Sequence, residues 1–278
     1  MLAGGVAAGA FGSVLGLGGG LLIVPLLTIG FGLPLREAVG VSLVCVIVTS
    51  SASAGVYLQR RQANLRLGMV LELFTGIGAV IGGTIAFLVD ERLLAGLFAV
   101  LVLYVAATLA RSAGRSGAPI ATDEAAVLTD VQDVPDEDAA TVDADAPTLG
   151  LAPAAVGRLP FAAFASTGAG VLSALLGIGG GLVKVPLMHL SLGVPLRIAT
   201  ATSNLMVGIT ASTSAIVYLL RGGIDAFATG PTAIGVFVGA SLGSRLGHRL
   251  DVRVLRMLFV AVLLYTAFEM GRRAVVGT

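Results

Sequence analysis

Apolar residues run almost unbroken over 2–31, 37–58, 67–89 and 93–110, and again over 160–192, 198–220, 226–247 and 254–271. Each run approaches or exceeds the roughly 20 residues that a helix needs to cross a bilayer. A helix apolar on every side belongs in a membrane or a large core. Between the two sets lies 112–158, rich in Ala, Asp, Thr and Pro and without apolar periodicity. That composition predicts a disordered linker. The first run has no basic leader and continues well past the length of a signal-peptide core, so it reads as a membrane segment.

The two sets of runs repeat each other at a constant offset of 161. Gly16-Leu17-Gly18-Gly19-Gly20 matches Gly177-Ile178-Gly179-Gly180-Gly181, and Pro25 matches Pro186. Gly32, Pro34, Leu35 and Arg36 match Gly193, Pro195, Leu196 and Arg197. Ser42, Thr49, Tyr57, Gly78 and Gly82 match Ser203, Thr210, Tyr218, Gly239 and Gly243. The chain therefore divides into a first transmembrane repeat at 1–111, an acidic disordered linker at 112–158 and a second transmembrane repeat at 159–278. The predicted fold class is an all-α polytopic membrane protein of two homologous four-segment repeats with glycine-broken first segments. Repeats with interrupted helices at matching places are the sequence mark of a secondary transporter. With the linker in the cytoplasm, parallel repeats put nine arginines inside and seven outside; inverted repeats put eleven inside and five outside. Basic residues favour the cytoplasmic side, so the count favours inversion, against the pull of the terminal Arg272-Arg273 pair.

Composition narrows the function. Charged residues make up 12 % of the 278 and mean hydropathy is +0.98. A soluble domain carries roughly 25 % charged residues, so a cytosolic enzyme is excluded. The net charge of +1 hides an uneven distribution, because nine of the 16 acids lie between Asp123 and Asp145. The arginines sit at segment ends as membrane flanks, which argues against nucleic-acid binding. One cysteine, Cys45, and two histidines supply neither a disulfide framework nor a zinc motif, and no cofactor or metal is expected. There is no GxSxG and no His cluster for an intramembrane enzyme. A scaffold working through its acidic linker is the other rival.

The glycine runs are the first candidate site. Each Gly costs about 1 kcal/mol relative to Ala inside a helix, so Gly18, Gly19 and Gly20, and Gly179, Gly180 and Gly181, predict breaks. Broken backbone at membrane depth is tolerated where it lines a cavity, and freed amides there would cradle an anion. Close packing through small residues is the plainer alternative. Pro25 and Pro186 keep a further part of each segment from regular helix. Lys184 is the sole lysine and lies deep in an apolar run, a functional candidate by default. It would suit an anionic substrate, or pair structurally with a carboxylate such as Glu72. Its counterpart is Ile23. The polar stripes Ser42–Ser53 and Ser203–Ser214 offer hydroxyls that either solvate an oxyanion or bond to their own helix. Ser42, Ser203 and Asn204 stand out as binding residues by their closeness to Arg36 and Arg197. Those arginines would draw anions to the two mouths or act as positive flanks. His189 or Glu72 would carry a proton in coupling. Tyr57 and Tyr218 read as interface anchors.

The G-[LI]-G-G-G-L-x-x-V-P-L opening of each half, the G-x-P-L-R turn at 32–36, Ala199-Thr200-Ala201-Thr202-Ser203-Asn204 and Arg221-Gly222-Gly223-Ile224-Asp225 resemble the TauE/SafE-type sulfite exporter family. The resemblance covers both halves. It implies a permease in the cell membrane of a prokaryote, moving small sulfur-containing anions such as sulfite, sulfoacetate or related sulfonates, often outward. Sulfate or thiosulfate are the alternative substrates, and an anion channel the alternative mechanism. The implied partners are the small anion and the lipid bilayer. Apolar faces rich in Gly and Ala would permit a homodimer. An inside-negative potential favours expelling an anion by about 2.3 kcal/mol per charge per 100 mV, so export needs no coupling ion.

Overall fold

The structure, a computed structural model, describes residues 1–14, 20–59, 64–113, 157–246 and 252–276. Every element among them is helical. In order these are α1 (Leu2–Val14), α2 (Gly20–Pro25), α3 (Leu35–Gln59), α4 (Leu65–Leu88), α5 (Glu91–Ala113), α6 (Leu159–Leu176), α7 (Gly181–Pro186), α8 (Leu196–Leu220), α9 (Ala226–Leu246) and α10 (Val252–Val276). Among the described residues four stretches are long and apolar enough to cross a membrane: Leu65–Leu88, Glu91–Arg111, Leu159–Leu176 and Ile198–Leu220. The linker expectation falls on residues of which 114–156 lie outside the described set.

The break in the second half is a sequence of left-handed glycines. Gly177, Gly179 and Gly180 take φ of 71°, 77° and 79°, a region that costs L-residues about 1–2 kcal/mol each. The Gly177 N–H closes α6 on Ser173 O, and α7 starts from Gly181. In the first half α1 ends at Val14 and α2 starts at Gly20; Gly18 and Gly19 between them lie outside the described residues.

The two prolines act otherwise than by stopping the helix. Pro25 and Pro186 sit inside α2 and α7, and each is followed at once by a π-helical turn, Leu26–Gly30 and Leu187–Ser191. A proline ring crowds the carbonyl four residues back and offers no N–H, and the wider turn accommodates both defects. Each π turn ends in the same loop. Leu33 N–H reaches Leu27 O at 3.1 Å, and Val194 N–H reaches Met188 O at 3.2 Å.

The main helix pairings join one side of the linker to the other. α1 packs on α9, α4 on α6, α3 on α8 and α5 on α10, with α4 also against α8 and α9 against α3. A bilayer gives helices no hydrophobic drive to associate, so close approach through small residues has to supply it. A Cβ on Gly5 would fall 2.7 Å from Thr232 O, and one on Gly82 would fall 2.5 Å from Val171 O. Gly9 and Gly239 in the first pair, and Gly78 and Gly170 in the second, are held just as tightly against facing backbone. Direction follows from the same contacts. Gly40 early in α3 meets Gly223 beyond the end of α8, and Ser50 meets Gly208, so these helices run antiparallel. Gly96 early in α5 faces Ala274 late in α10, again antiparallel. α4 and α8 run parallel, with Gly68 on Thr202 and Gly83 on Val217.

Candidate functional site

The short α7 carries Lys184 in its first turn and buries it to 1 % exposure. A lone buried ammonium requires a counter-charge. Glu72 on α4 supplies it, with Oε2 at 2.9 Å from Nζ. Thr210 on α8 completes a triad. Lys184 Nζ donates to its Oγ1 at 2.5 Å, and Oγ1 lies 2.6 Å from Glu72 Oε1 and 3.0 Å from Met206 O. Of the two readings of Lys184, structural pairing with Glu72 is the arrangement found. The other side of Glu72 borders a cavity of about 490 Å³ between α4 and α8, open toward the outer face and lined by Gly68, Met69, Gly76, Met206 and Ile209 among others.

Around the second glycine break the polar groups are unpaired. The Ser203 hydroxyl and both amide atoms of Asn204 on α8, and the Ser166 and Ser173 hydroxyls on α6, are buried without a hydrogen-bond partner among the described residues. A Cβ on Gly180 would lie 3.3 Å from Ser173 Cβ and 3.6 Å from Lys184 Cε, and one on Gly181 3.7 Å from Ser203 Oγ. Ser173, Ser203 and Lys184 thus converge on one turn of backbone. Leaving a buried polar group unsatisfied costs about 1–3 kcal/mol, so several at one place need a reason.

Ser42 on α3 ties the start of α2 to the second break. Its hydroxyl lies 3.2 Å from Gly20 O and 2.8 Å from Gly177 O, and a Cβ on Gly20 would itself touch Gly177 O at 2.8 Å. Ser50 donates to Asn204 O at 2.5 Å. The rest of the polar stripe is plainer. Thr49, Ser51, Ser212, Thr213 and Ser214 bond to carbonyls of their own helices.

The remaining candidates sit elsewhere. Arg36 binds the C-terminal carbonyls of α4, Nε to Ala86 O and Nη2 to Val89 O, both at 3.0 Å, with its guanidinium over Phe87. It clamps α3 to α4. The Arg197 side chain lies outside the described set. His189 is exposed, and its Nδ1 donates to Val194 O at 2.9 Å, tying down the loop after α7. Tyr218 is no interface anchor: it is fully buried, edge-on to Phe87, its hydroxyl donating to Ala174 O at 3.0 Å. The Tyr57 side chain is outside the described set.

Sequence reasoning passed over Ser166 and Ser173. The available signal was their seven-residue spacing, which puts both on one face of an apolar helix leading into the break. Their counterparts at the 161 offset are Gly5 and Gly12.

The comparisons with known proteins agree with this architecture. Residues 1–270 match the family described as sulfite exporter TauE/SafE. The chain is 26 % identical over 268 residues to the probable membrane transporter protein YunE of Bacillus subtilis (strain 168), covering 94 % of this chain and 92 % of that protein. It is 26 % identical over 263 residues to a probable membrane transporter protein of Xylella fastidiosa (strain 9a5c), covering 92 % and 89 %. With the probable membrane transporter protein MamO of Paramagnetospirillum magneticum it shares 29 % over 298 residues, covering 95 % of this chain and 43 % of that protein. No solved structure shows a significant match. An all-helical chain with membrane-length apolar helices, matched across nearly its whole length, belongs to the TauE/SafE sulfite exporter family of membrane transporters.

Proposed function

We propose that the chain exports small sulfur-containing anions, sulfite, sulfoacetate or related sulfonates, across the cell membrane of a prokaryote by alternating access. The observation that carries this reading is the pair of buried hydroxyls at the second glycine break, Ser173 and Ser203, without a partner among the described residues, with the likewise unpartnered Asn204 amide next to Ser203 in sequence. A tetrahedral sulfonate or pyramidal sulfite offers three oxygens in a compact head. Hydroxyl and amide donors replace its water without adding fixed charge.

The same reading makes the halves inverted repeats. Its support is the matched pairing of helices. At the 161 offset α1 corresponds to α6 and α4 to α9, and the α1–α9 contact is answered by α6–α4. Corresponding helices also face each other antiparallel, α3 against α8 and α5 against α10. Antiparallel equivalents are what a two-fold axis in the membrane plane produces, and such repeats rock about a site at their interface. Gly20, which opens α2, and Gly177, at the second glycine break, are joined across the halves through Ser42.

The test is flux in proteoliposomes loaded with sulfite, sulfoacetate, sulfate, thiosulfate or chloride at fixed pH and potential. Saturable flux with counterflow of one sulfur anion, reduced in Asn204→Leu, is the expected result. Flux of chloride alone, or of none of these in folded protein, removes the substrate class. Flux without saturation or counterflow makes it a channel.

A further inference from the structure

The Lys184 ammonium and the unpaired donors share one turn of backbone, yet the ammonium is already taken. We propose that Glu72 is a built-in stand-in for the transported anion, displaced from Lys184 by the substrate and taking up one proton as it leaves. The proposal rests on the anion-transport reading and adds its coupling.

The geometry supplies both positions of the carboxylate. In the position seen, Glu72 presents Oε2 to Lys184 and Oε1 to the Thr210 hydroxyl, both of its oxygens engaged. Its other side borders the cavity between α4 and α8, whose lining is otherwise Gly, Leu, Ile, Val, Met and one Thr. That space accepts a neutral carboxylic acid and penalises a carboxylate. An anion bound beside Gly180 is within one side-chain rotation of Lys184, whose Cε already lies near that turn. Two anions on one buried ammonium would leave an uncompensated charge, so the second enters as the first is neutralised.

The surroundings leave Glu72 as the proton acceptor. α7 brings Lys184 to it and α8 brings Thr210. α6, which also packs on α4, carries no ionisable side chain from Leu159 to Leu176. Arg66 on α4 and Arg197 and Tyr218 on α8 stand more than a helical turn away along their helices. His189 is exposed and bound to Val194 O.

The charge balance is simple. The empty carrier holds a neutral Lys184–Glu72 pair. The loaded carrier holds Lys184 with one monovalent anion, and Glu72 with one proton from solution. Each cycle then moves one anion and one proton together, with no net charge. Outward movement runs on the anion's accumulation inside together with the pH difference across the membrane, and the membrane potential drops out.

The experiment uses the full chain in proteoliposomes with methanesulfonate and, separately, chloride, neither of which titrates near neutral pH. Wild-type flux is expected to ignore an imposed potential. Apparent affinity should weaken about tenfold per pH unit wherever the empty protein keeps Glu72 ionised, the slope for one bound proton. In Glu72→Gln the empty carrier keeps a bare Lys184, so flux should become potential-driven and lose its pH slope. Infrared difference spectra of purified wild-type protein give a readout that needs no variant: adding the anion should raise a carboxylic-acid C=O band. Wild-type flux that follows potential, a pH slope that survives in Glu72→Gln, or no such band on binding overturns the proposal. Chloride evoking the band and electroneutral flux while methanesulfonate does neither upholds Glu72 and removes the sulfur-anion reading. Methanesulfonate flux without proton uptake does the reverse. No binding or flux of either anion in folded protein overturns both.

Discussion

The two glycine runs match in sequence, and the positions around them are furnished differently. Where the second half has Ser166, Ser173, Lys184 and Asn204, the first half at the 161 offset has Gly5, Gly12, Ile23 and Leu43. The shared serine behaves differently too. Ser42 is spent between Gly20 O and Gly177 O, whereas Ser203 has no partner among the described residues. Glu72 has Ala233 as its counterpart, so the ion pair draws its acid from one half and its base from the other. Beside Gly20 the shared serine is used as structure, and at the second break buried hydroxyls keep hydrogen-bonding capacity that no described residue uses, at a cost in stability. Residues that stabilise nothing where they stand are the better pointers to what the protein binds.

This contrast can be broken at its charged core first. Glu72→Ala leaves Lys184 buried without a counter-ion and is expected to cost about 3–5 kcal/mol, read as loss of folded protein in thermal unfolding. Adding Lys184→Ile, which installs the residue found at position 23, should recover most of that loss, since an apolar replacement of a buried pair is often neutral. Next come the glycines of the frame. Gly78→Ala and Gly239→Ala occupy matching positions against backbone and should each cost about 1–3 kcal/mol or more; a large inequality would mean that the frame is not shared. Asn204→Leu installs the residue of position 43. It should raise stability by about 1–3 kcal/mol, the relief of an unsatisfied amide, while lowering anion flux. Falling stability would show that the amide is already satisfied. The smallest effect separates the two serines: Ser42→Ala should cost about 1 kcal/mol with flux little changed, and Ser203→Ala should raise the melting temperature slightly while reducing flux.

Much of this was legible in the chain. The apolar runs placed the long helices, and the consecutive glycines of the second half marked its break, because left-handed backbone is costly for other residues. The prolines announced irregularity but not its form, since whether a helix stops or widens depends on what packs around it. The site was harder to read. Ser203 and Asn204 stand out in sequence by their closeness to Arg36 and Arg197, yet what distinguishes them is that they have no partner among the described residues, a tertiary fact. Arg36 looked like a free cation and is a clamp on Ala86 O and Val89 O, fifty residues away. The Lys184–Glu72 pair spans 112 residues, and no local pattern reports which carboxylate will meet the amine.

The pairing of α1 with α9 sets an order on biosynthesis. α1 leaves the ribosome before the other helices described, and its glycines face Thr232, Gly235 and Val236. Residues 15–246 must be added before that surface is complete, roughly ten to fifty seconds at about 5–20 residues per second. Through that interval the glycine face of α1 has only lipid or other proteins for company. α4 waits less, because α6 is the next long helix to emerge after the linker. The nascent chain therefore closes α4 on α6 first, α3 on α8 next and α1 on α9 after that, and only α5 waits longer, for α10.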